Sequence, residues 1–297
     1  MSHAMPPDSD APIVYMTKEI GPEALVAAYE ALGVIPSGNV AIKITSGEPP
    51  NSNYLRPELI KDLVQMVGGT LVESNTAAGK RTSTAKHWQV VEDHGYLEIA
   101  EFDLLDAEGE MRIPVEGGEV LSENIVGANL ANYDYCIVLS HFKGHQMAGY
   151  GGAIKNMSIG IASSNGKSWI HSGGKRTSGY RGDQDTFLKG MAEAAKSVVD
   201  YLGGPENLIY INVMNRLSVD CDCNGNPAEP DMHDIGILAS LDPVALDRAC
   251  VDLVEASVDG ASLMARIDSR NGTLTMDHGA EIGLGSLEYR LVSIDGQ

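Results

Sequence analysis

The chain has 297 residues, with 41 acidic against 21 basic side chains and a formal net charge of -20, which disfavours binding to nucleic acid. Its 43% hydrophobic and 21% charged residues are enough to bury a core, so wholesale disorder is excluded. No run approaches the roughly 18 apolar residues of a membrane span, and the first residues lack the apolar segment of a signal peptide. Four cysteines do not make a disulfide scaffold, so a cytoplasmic location is expected.

Short β-rich runs alternate with amphipathic runs along the chain, which predicts an α/β fold with a mainly parallel sheet covered by helices. In chain order, strands are predicted at 13–16, 40–45, 70–73, 135–140, 208–214, 235–239 and 288–294. Helices are predicted at 22–32, 57–67, 83–94, 186–202 and 242–255. Residues 97–120 are predicted to form a small antiparallel excursion with a turn at Glu108-Gly109.

Domain organisation is expected to be simple, because the chain shows no repeat, low-complexity segment or linker. We expect a flexible N-terminal tail at residues 1–12. Residues 13–297 are expected to form a single α/β domain, as one compact unit or as two closely packed lobes that meet near 135–182.

The negative charge is spread unevenly along the chain. Residues 135–182 contain no Asp or Glu and carry a charge of +6, whereas the rest of the chain carries -26. Glycine amides and cations gathered in one acid-free stretch are typical of a site for an anion. The alternative is a basic, flexible surface loop.

Histidine and lysine alternate directly after the predicted buried strand at 135–140, at His141, Lys143 and His145. Two imidazoles and an ammonium suit proton transfer, metal ligation or carboxylate binding, so we predict a catalytic set that His171 completes. The alternative is a capping loop with solvated side chains.

A second group of residues is predicted to bind the anion or cofactor, because each lies near the start of a helix or in the acid-free stretch. It comprises Arg56, Arg81, Gly151, Gly152, Lys155 and Asn156, with the glycine amides exposed ahead of a helix and Lys155 as a point charge. Surface capping is the alternative for the two arginines.

A C-x-C pair suggests a metal site in an acidic loop. Cys221 and Cys223 offer two thiolates, and Asp220 and Asp234 are the predicted additional ligands, with Asp231 or His233 as alternatives to Asp234. The alternative is two ordinary cysteines in a loop. Cys136 and Cys250 lie among apolar residues in a strand and on a helix face, which predicts structural roles.

Three runs resemble domain-of-unknown-function family 362, whose members are often labelled iron–sulfur center proteins. They are SHFKGHQMAGYGGAIKNMSIGIASSNGK at 140–167, VDCDCNGNPAEP at 219–230 and DIGILASLDPVALDRACVDLV at 234–254. Longer relatives carry a ferredoxin-like segment with C-x-x-C-x-x-C spacing that this chain lacks. The resemblance therefore leaves only Cys221 and Cys223 as candidate thiolate ligands for a metal ion or an iron–sulfur cluster.

A more distant resemblance connects the chain to nickel-dependent lactate racemase. Gly151-Gly152, Lys155, the run GIAS at 160–163 and His171 are similar to that enzyme's Gly-Gly-x-Lys, Gly-Ile-Ala-Ser and His, although the glycine–lysine spacing differs by one residue. The resemblance implies a phosphate-bearing or nickel-pincer-like cofactor with Lys155 on its side. It also implies ligand or proton-transfer roles for His141, His145 and His171.

Two functions follow as hypotheses. The first is a metal-associated enzyme acting on a small anionic substrate, with proton or hydride transfer beside a carboxylate. The second is a non-catalytic metal or iron–sulfur protein that uses the Cys221/Cys223 loop. The expected partner is a small anionic molecule, with no nucleic acid and no membrane; a redox partner and a homo-oligomer stay open.

Overall fold

The computed structural model describes residues 3–296, whose main element is an eight-stranded sheet. In chain order the strands are β1 (Ile13–Thr17), β2 (Val40–Lys43), β3 (Thr70–Glu73), β4 (Phe102–Leu104), β5 (Glu110–Pro114), β6 (Glu123–Gly127), β7 (Tyr135–His141), β8 (Lys143–His145), β9 (Gly149–Gly151), β10 (Leu208–Met214), β11 (Gly236–Ser240) and β12 (Arg290–Ser293). The sheet has the order β12-β1-β11-β10-β7-β2-β3-β4, and β11 alone runs antiparallel to its neighbours. Two small antiparallel pairs, β5–β6 and β8–β9, lie outside it.

Helices cover both faces of the sheet. They are α1 (Pro22–Glu30), α2 (Pro57–Val67), α3 (Thr84–Asp93), α4 (Ala153–Ser158), α5 (Ser164–His171), α6 (Gln184–Tyr201), α7 (Pro243–Ala256), α8 (Ala261–Ser269) and α9 (Leu274–Glu281). Alternate residues of β7 belong to two different core clusters, Val138 to one and Ile137 to the other. Because both of its faces are buried, this strand reads as an almost continuous apolar run.

The structure confirms the predicted α/β class with a mostly parallel sheet and small antiparallel sheets. Helix α2 and strand β10 have the predicted bounds. Helix α7 begins with a side-chain cap, because Asp242 Oδ1 accepts hydrogen bonds from the Val244 and Ala245 amides at 2.9 Å.

The predicted antiparallel excursion at 97–120 is wrong in its position. Strand β4 pairs in parallel with β3 and extends the main sheet, and the antiparallel hairpin is β5–β6, which begins after the Glu108-Gly109 turn. The physical reason is that Phe102 and Leu104 are buried in the core beside β3, so they extend the sheet rather than start a hairpin.

The predicted tail and domain limits stay predictions. Met1 and Ser2 lie outside the described residues, whereas Ala4 bridges to Tyr289 and Arg290 donates to the carbonyl oxygens of Pro7 and Ala11. Across residues 3–296, no helix has the length and apolar character needed to cross a membrane.

The strand order reverses between β2 and β7. From β2 the chain moves outward to β3 and β4, while from β7 it moves to β10 on the other side. In open α/β sheets, ligands bind beyond the carboxyl ends of the strands at such a switch point. Residues that follow β2, β3, β7 and β10 meet at this edge of the sheet.

Candidate functional site

A cavity of about 500 Å³ lies at the switch point. Its walls come from the ends of β2, β3 and β7, from α4 and α5, and from the loop at 221–225. The cavity therefore brings together the acid-free stretch and the cysteine loop, which lie far apart in sequence. A cavity of this size is typical of small-molecule sites.

Four lysines line the cavity, and burial lowers the pKa of three of them. The pKa falls to about 8 for Lys43, to about 8 for Lys155 and to about 7 for Lys167. Lys43 Nζ is held by the Ile44 carbonyl and by Asn156 Oδ1 at 3.0 Å, and Lys167 Nζ donates to the Ala162 carbonyl at 2.6 Å. Two of the three amines are thus fixed by backbone oxygens.

Lys155 differs from the other two lysines. Its amine has no hydrogen bond or ion pair with any residue in the range 3–296, although it lines the cavity. The charges of Lys43 and Arg81 add to the effect of burial on its pKa. An unpaired amine among cations is the group that gains most from a bound anion.

A carboxylate of the protein lies at the start of α4, directly after the two glycines that were predicted to bind an anion. The first two amides of the helix, those of Ala153 and Ile154, donate to Asp247 at 2.8 and 3.0 Å, so a carboxylate of the protein already occupies the helix start. A Cβ at Gly152 would lie 2.3 Å from Asp247 Oδ1. Gly152 lines the cavity and makes room for Asp247, and Gly151 lies beside the Lys155 chain.

Glu73 anchors the β3 side of the cavity. It accepts hydrogen bonds from Arg81 Nη1 at 2.6 Å, His87 Nε2 at 3.0 Å and the Ser46 amide at 3.0 Å. Burial opposes ionisation, but the charges of Arg81 and His87 hold the pKa of Glu73 well below its usual range. Arg81 also pairs with Glu48, so its guanidinium is committed to two carboxylates in the cavity wall.

His145 and His171 line the cavity as buried, neutral imidazoles. Burial, with Lys155 nearby, lowers the pKa of His171 to about 3 and that of His145 well below its usual value. The amides of Met147 and Ala148 donate to His145 Nδ1 at 3.2 and 2.9 Å, so the ring proton is on Nε2.

His171 offers a free ring nitrogen. Its Nδ1 is buried and has no hydrogen-bond partner among residues 3–296. The ring is fixed by stacking on Phe187, with the centroids 3.9 Å apart. A neutral, rigid imidazole with an open lone pair can accept a proton or a hydrogen bond from a ligand.

His141 and Lys143 act together on Asp222. His141 Nδ1 lies 2.8 Å from Asp222 Oδ2 and its Nε2 lies 2.9 Å from the Asn215 carbonyl, while Lys143 Nζ lies 3.1 Å from Asp222 Oδ1. Despite burial, the charges of His141 and Lys143 lower the pKa of Asp222. Because each nitrogen of His141 already faces an oxygen, neither is free to contact a ligand.

The cysteine loop closes one side of the cavity. Cys221 and Cys223 are joined by a disulfide, contrary to the expectation of free thiols, and both line the cavity. A ring nitrogen of His145 and the two sulfurs lie within 4.8 Å of one another, so these three residues form a group that can hold a metal ion when the disulfide is reduced. Cys136 and Cys250 are free and buried, as predicted for structural residues.

The remaining predicted site residues do not line the cavity. Arg56 is exposed and donates to the Tyr54 hydroxyl and the Ser52 carbonyl. Asp220 pairs with Arg266 at 3.0 Å, and Asp234 accepts from the Arg216 amide at 2.6 Å. The structure therefore brings the two cysteines together with His145 but not with these two carboxylates.

Several cavity residues escaped prediction from sequence. Lys43 and Glu73 each end a short, mostly apolar strand, and a charged residue in such a strand was the available signal. Lys167 was included only as one of the positive charges of the acid-free stretch at 135–182. Asp222 lies between the two cysteines, and nothing local indicates its pairing with His141, because the two are 81 positions apart.

Two solved structures are similar to this chain at 14% sequence identity. The lactate racemase apoprotein from Thermoanaerobacterium thermosaccharolyticum has a TM-score of 0.48 over 82% of this chain. A protein from Thermotoga maritima has a TM-score of 0.43 over 77% of this chain. The match spans 57% of the length of each of these proteins. No curated protein matches the sequence.

The sequence model of one protein family matches residues 40–252, which include every strand that contributes to the cavity. The match also contains the acid-free stretch and the cysteine loop. The chain belongs to the family described as domain of unknown function DUF362.

Proposed function

We propose that the protein is an enzyme that binds a small anionic substrate, of the carboxylate class, in the cavity and transfers a proton there. The observation that carries this proposal is the unpaired amine of Lys155 in a cavity that it shares with two other buried lysines. A charge-assisted hydrogen bond to a carboxylate would supply the partner that Lys155 lacks. The overall charge of -20 does not oppose binding, because the anion meets a local cluster of cations.

Lys155 and His171 are the groups that we assign to proton transfer. A pKa of about 8 places the Lys155 amine close to the operating range of a general acid or base at neutral pH. His171 Nδ1 is free to accept a proton, and a bound carboxylate would stabilise the imidazolium that forms. The donor on His145 Nε2 and the fixed ammonium of Lys43 would orient the substrate.

His141 and Lys143 have a positioning role in this proposal. Both hold Asp222 and thereby fix the loop that closes the cavity. A direct role of His141 in proton transfer would require it to break one of its two contacts. We therefore place the chemistry on the other two histidines and on Lys155.

A resident metal ion fits the cavity poorly while the disulfide is present. A metal-bound His145 would ligate through one nitrogen and carry its proton on the other, but Nδ1 already accepts two amide protons and Nε2 carries the ring proton. The alternative function, a non-catalytic metal or iron–sulfur protein, requires reduced cysteines and a reoriented His145. Metal analysis of anaerobically reduced protein tests it: about one metal ion per chain would favour that alternative.

A phosphate-bearing or nickel-pincer-like cofactor fits only in part. Lys155 is free to contact such a group, and Lys43 and Lys167 would neutralise a phosphate. Arg56, the other residue expected to contact phosphate, is exposed and outside the cavity. We derive no step through a cofactor.

Binding is tested by calorimetric titration with malonate and with inorganic phosphate at about pH 7. We expect Lys155→Met to weaken binding by about 10- to 100-fold, since a hydrogen bond to a charged group contributes roughly 1.5–3 kcal/mol. Lys175→Met is the matched control, because Lys175 is an exposed lysine outside the cavity. Equal affinities in both variants would contradict the proposed site.

Catalysis is tested by incubating the protein with small carboxylates in heavy water. Proton abstraction beside the carboxylate replaces the α-proton with deuterium, which proton NMR detects as loss of signal. We expect exchange on at least one substrate of the class, and loss of exchange in Lys155→Met and in His171→Phe but not in Lys175→Met. Exchange that persists in both cavity variants would refute the assignment.

A further inference from the structure

The disulfide of the cysteine loop is placed for chemistry of its own. Cys223 is exposed, Cys221 is half-buried, and both line the cavity. The other two cysteines are fully buried. A disulfide that stabilises a fold usually joins distant segments, whereas this one spans only two positions and constrains almost no chain. Its accessible position is typical of a bond that exchanges with thiols.

The residue between the two cysteines holds the pair in place. The side chain of Asp222 is buried and contacts His141 at 2.8 Å and Lys143 at 3.1 Å. Its backbone carbonyl accepts a hydrogen bond from the Glu48 amide at 2.7 Å. With the central residue fixed, the two flanking side chains are both directed to the cavity. None of these three contacts of Asp222 involves the sulfurs.

The two sulfurs have different surroundings. The Cys223 amide lies 3.3 Å from Cys221 Sγ and donates to it, and His145, which carries its proton on Nε2, lies beside both sulfurs. An amide donor stabilises a thiolate on Cys221. Cys223 is the more accessible sulfur, so an incoming thiolate meets it first.

We propose that Cys221 and Cys223 form a two-electron thiol–disulfide exchange centre that opens into the cavity and is reduced by a dithiol. A thiolate of the dithiol attacks Cys223 Sγ, a mixed disulfide forms, and the Cys221–Cys223 bond breaks with its electron pair leaving on Cys221. The second thiolate of the dithiol then attacks the other dithiol sulfur, which is bonded to Cys223 in the mixed disulfide. The dithiol leaves as a disulfide, and Cys223 is released as a thiolate.

The first test locates the mixed disulfide. Protein oxidised with oxidised dithiothreitol is treated with 2-mercaptoethanol, quenched with an alkylating reagent and mapped by peptide mass spectrometry. We expect the mercaptoethanol adduct on Cys223 and the alkyl group on Cys221. Cys136 and Cys250 serve as controls within the chain and should carry neither modification. An adduct mainly on Cys221, or four free thiols after oxidation, would overturn the proposal.

The second test measures the rate of reduction by dithiothreitol. We expect His145→Leu to slow reduction about tenfold, because the thiolate that leaves on Cys221 loses a polar imidazole within 4.8 Å of it, and leaving-group stability controls the rate. His145→Gln keeps an acceptor for the Met147 and Ala148 amides and a donor for the sulfur, so it should restore most of the rate. Equal rates in wild type and His145→Leu, with circular dichroism unchanged, would refute the role of His145.

Discussion

Ion pairing in the cavity wall gives individual residues large effects on stability. Glu73 neutralises Arg81 and contacts His87, and all three side chains are buried. Removal of one partner from a buried pair leaves an uncompensated charge, which costs about 3–5 kcal/mol.

We expect Glu73→Gln to lower the free energy of unfolding by about 3–5 kcal/mol, since Arg81 then has one carboxylate partner, Glu48, in place of two. Urea denaturation at neutral pH measures the change. Glu58→Gln, at an exposed position of α2, is the control and should change stability by less than about 0.5 kcal/mol. Similar small effects for both variants would show that the buried pair is not stabilising.

The sequence indicated individual site residues unevenly. His145, His171 and Lys155 were predicted, because cations and imidazoles in an acid-free stretch stand out in an acidic chain. Lys43 and Glu73 were missed, because each belongs to a short apolar strand whose neighbours suggested only core packing. Arg56 was predicted but lies outside the cavity, since a helix start near the right edge does not determine where a long side chain points.

At the scale of elements, α4 depends on a carboxylate from α7. Asp247 accepts the first two amides of α4 and also the Asn212 side chain at 2.8 Å, and burial raises its pKa to about 6. This contact sets the position of the short helix that carries Lys155 and Asn156. The cavity is therefore sensitive to a change at the start of α4.

We expect Gly152→Ala to destabilise the protein by about 1–3 kcal/mol, because the new Cβ would lie 2.3 Å from Asp247 Oδ1 and one of the two must move. The variant should also bind phosphate more weakly, since Lys155 moves with α4. Thermal unfolding and calorimetric titration measure the two effects. Gly21→Ala is the control, because a Cβ there meets nothing within 4 Å.

Elements were predicted well where the local signals agreed. Asp242 caps α7 directly before Pro243, and Gly68, with a positive φ, ends α2. Both signals involve only a few neighbouring residues, so they can be recognised in the sequence. The excursion at 97–120 was misplaced, because pairing with β3 depends on a residue contact between segments about 30 positions apart. Strand partners of that kind leave no mark on the local pattern.

At the scale of the whole molecule, the buried lysines link stability to pH. In the folded protein their pKa values are about 8 for Lys43 and Lys155 and about 7 for Lys167, whereas an unfolded lysine has a pKa near 10.4. Between these values the unfolded chain binds more protons than the folded one, so stability rises with pH. Burial raises the pKa of Cys136 to about 12 and that of Cys250 well above its usual value. At a pH where these thiols ionise in the unfolded chain, the folded protein binds more protons at them, and this opposes the increase of stability with pH.

We expect the free energy of unfolding to increase by about 2 kcal/mol between about pH 7 and pH 8.5 in the absence of ligand. Urea denaturation at the two pH values measures the increase. It should be clearly smaller in Lys167→Met, which removes the group with the lowest pKa of the three. A decrease of stability over this range would contradict the assigned lysine pKa values.

The main sheet also has a consequence for synthesis on the ribosome. Strand β1 lies between β11 and β12, so the apolar residues 13–17 pair only with segments that begin at Gly236 and Arg290. At typical elongation rates of 5–20 residues per second, β1 emerges roughly 10–45 s before either partner. During that interval residues 13–17 lack both strand partners. The speed of translation sets how long this segment is available to chaperones or to self-association.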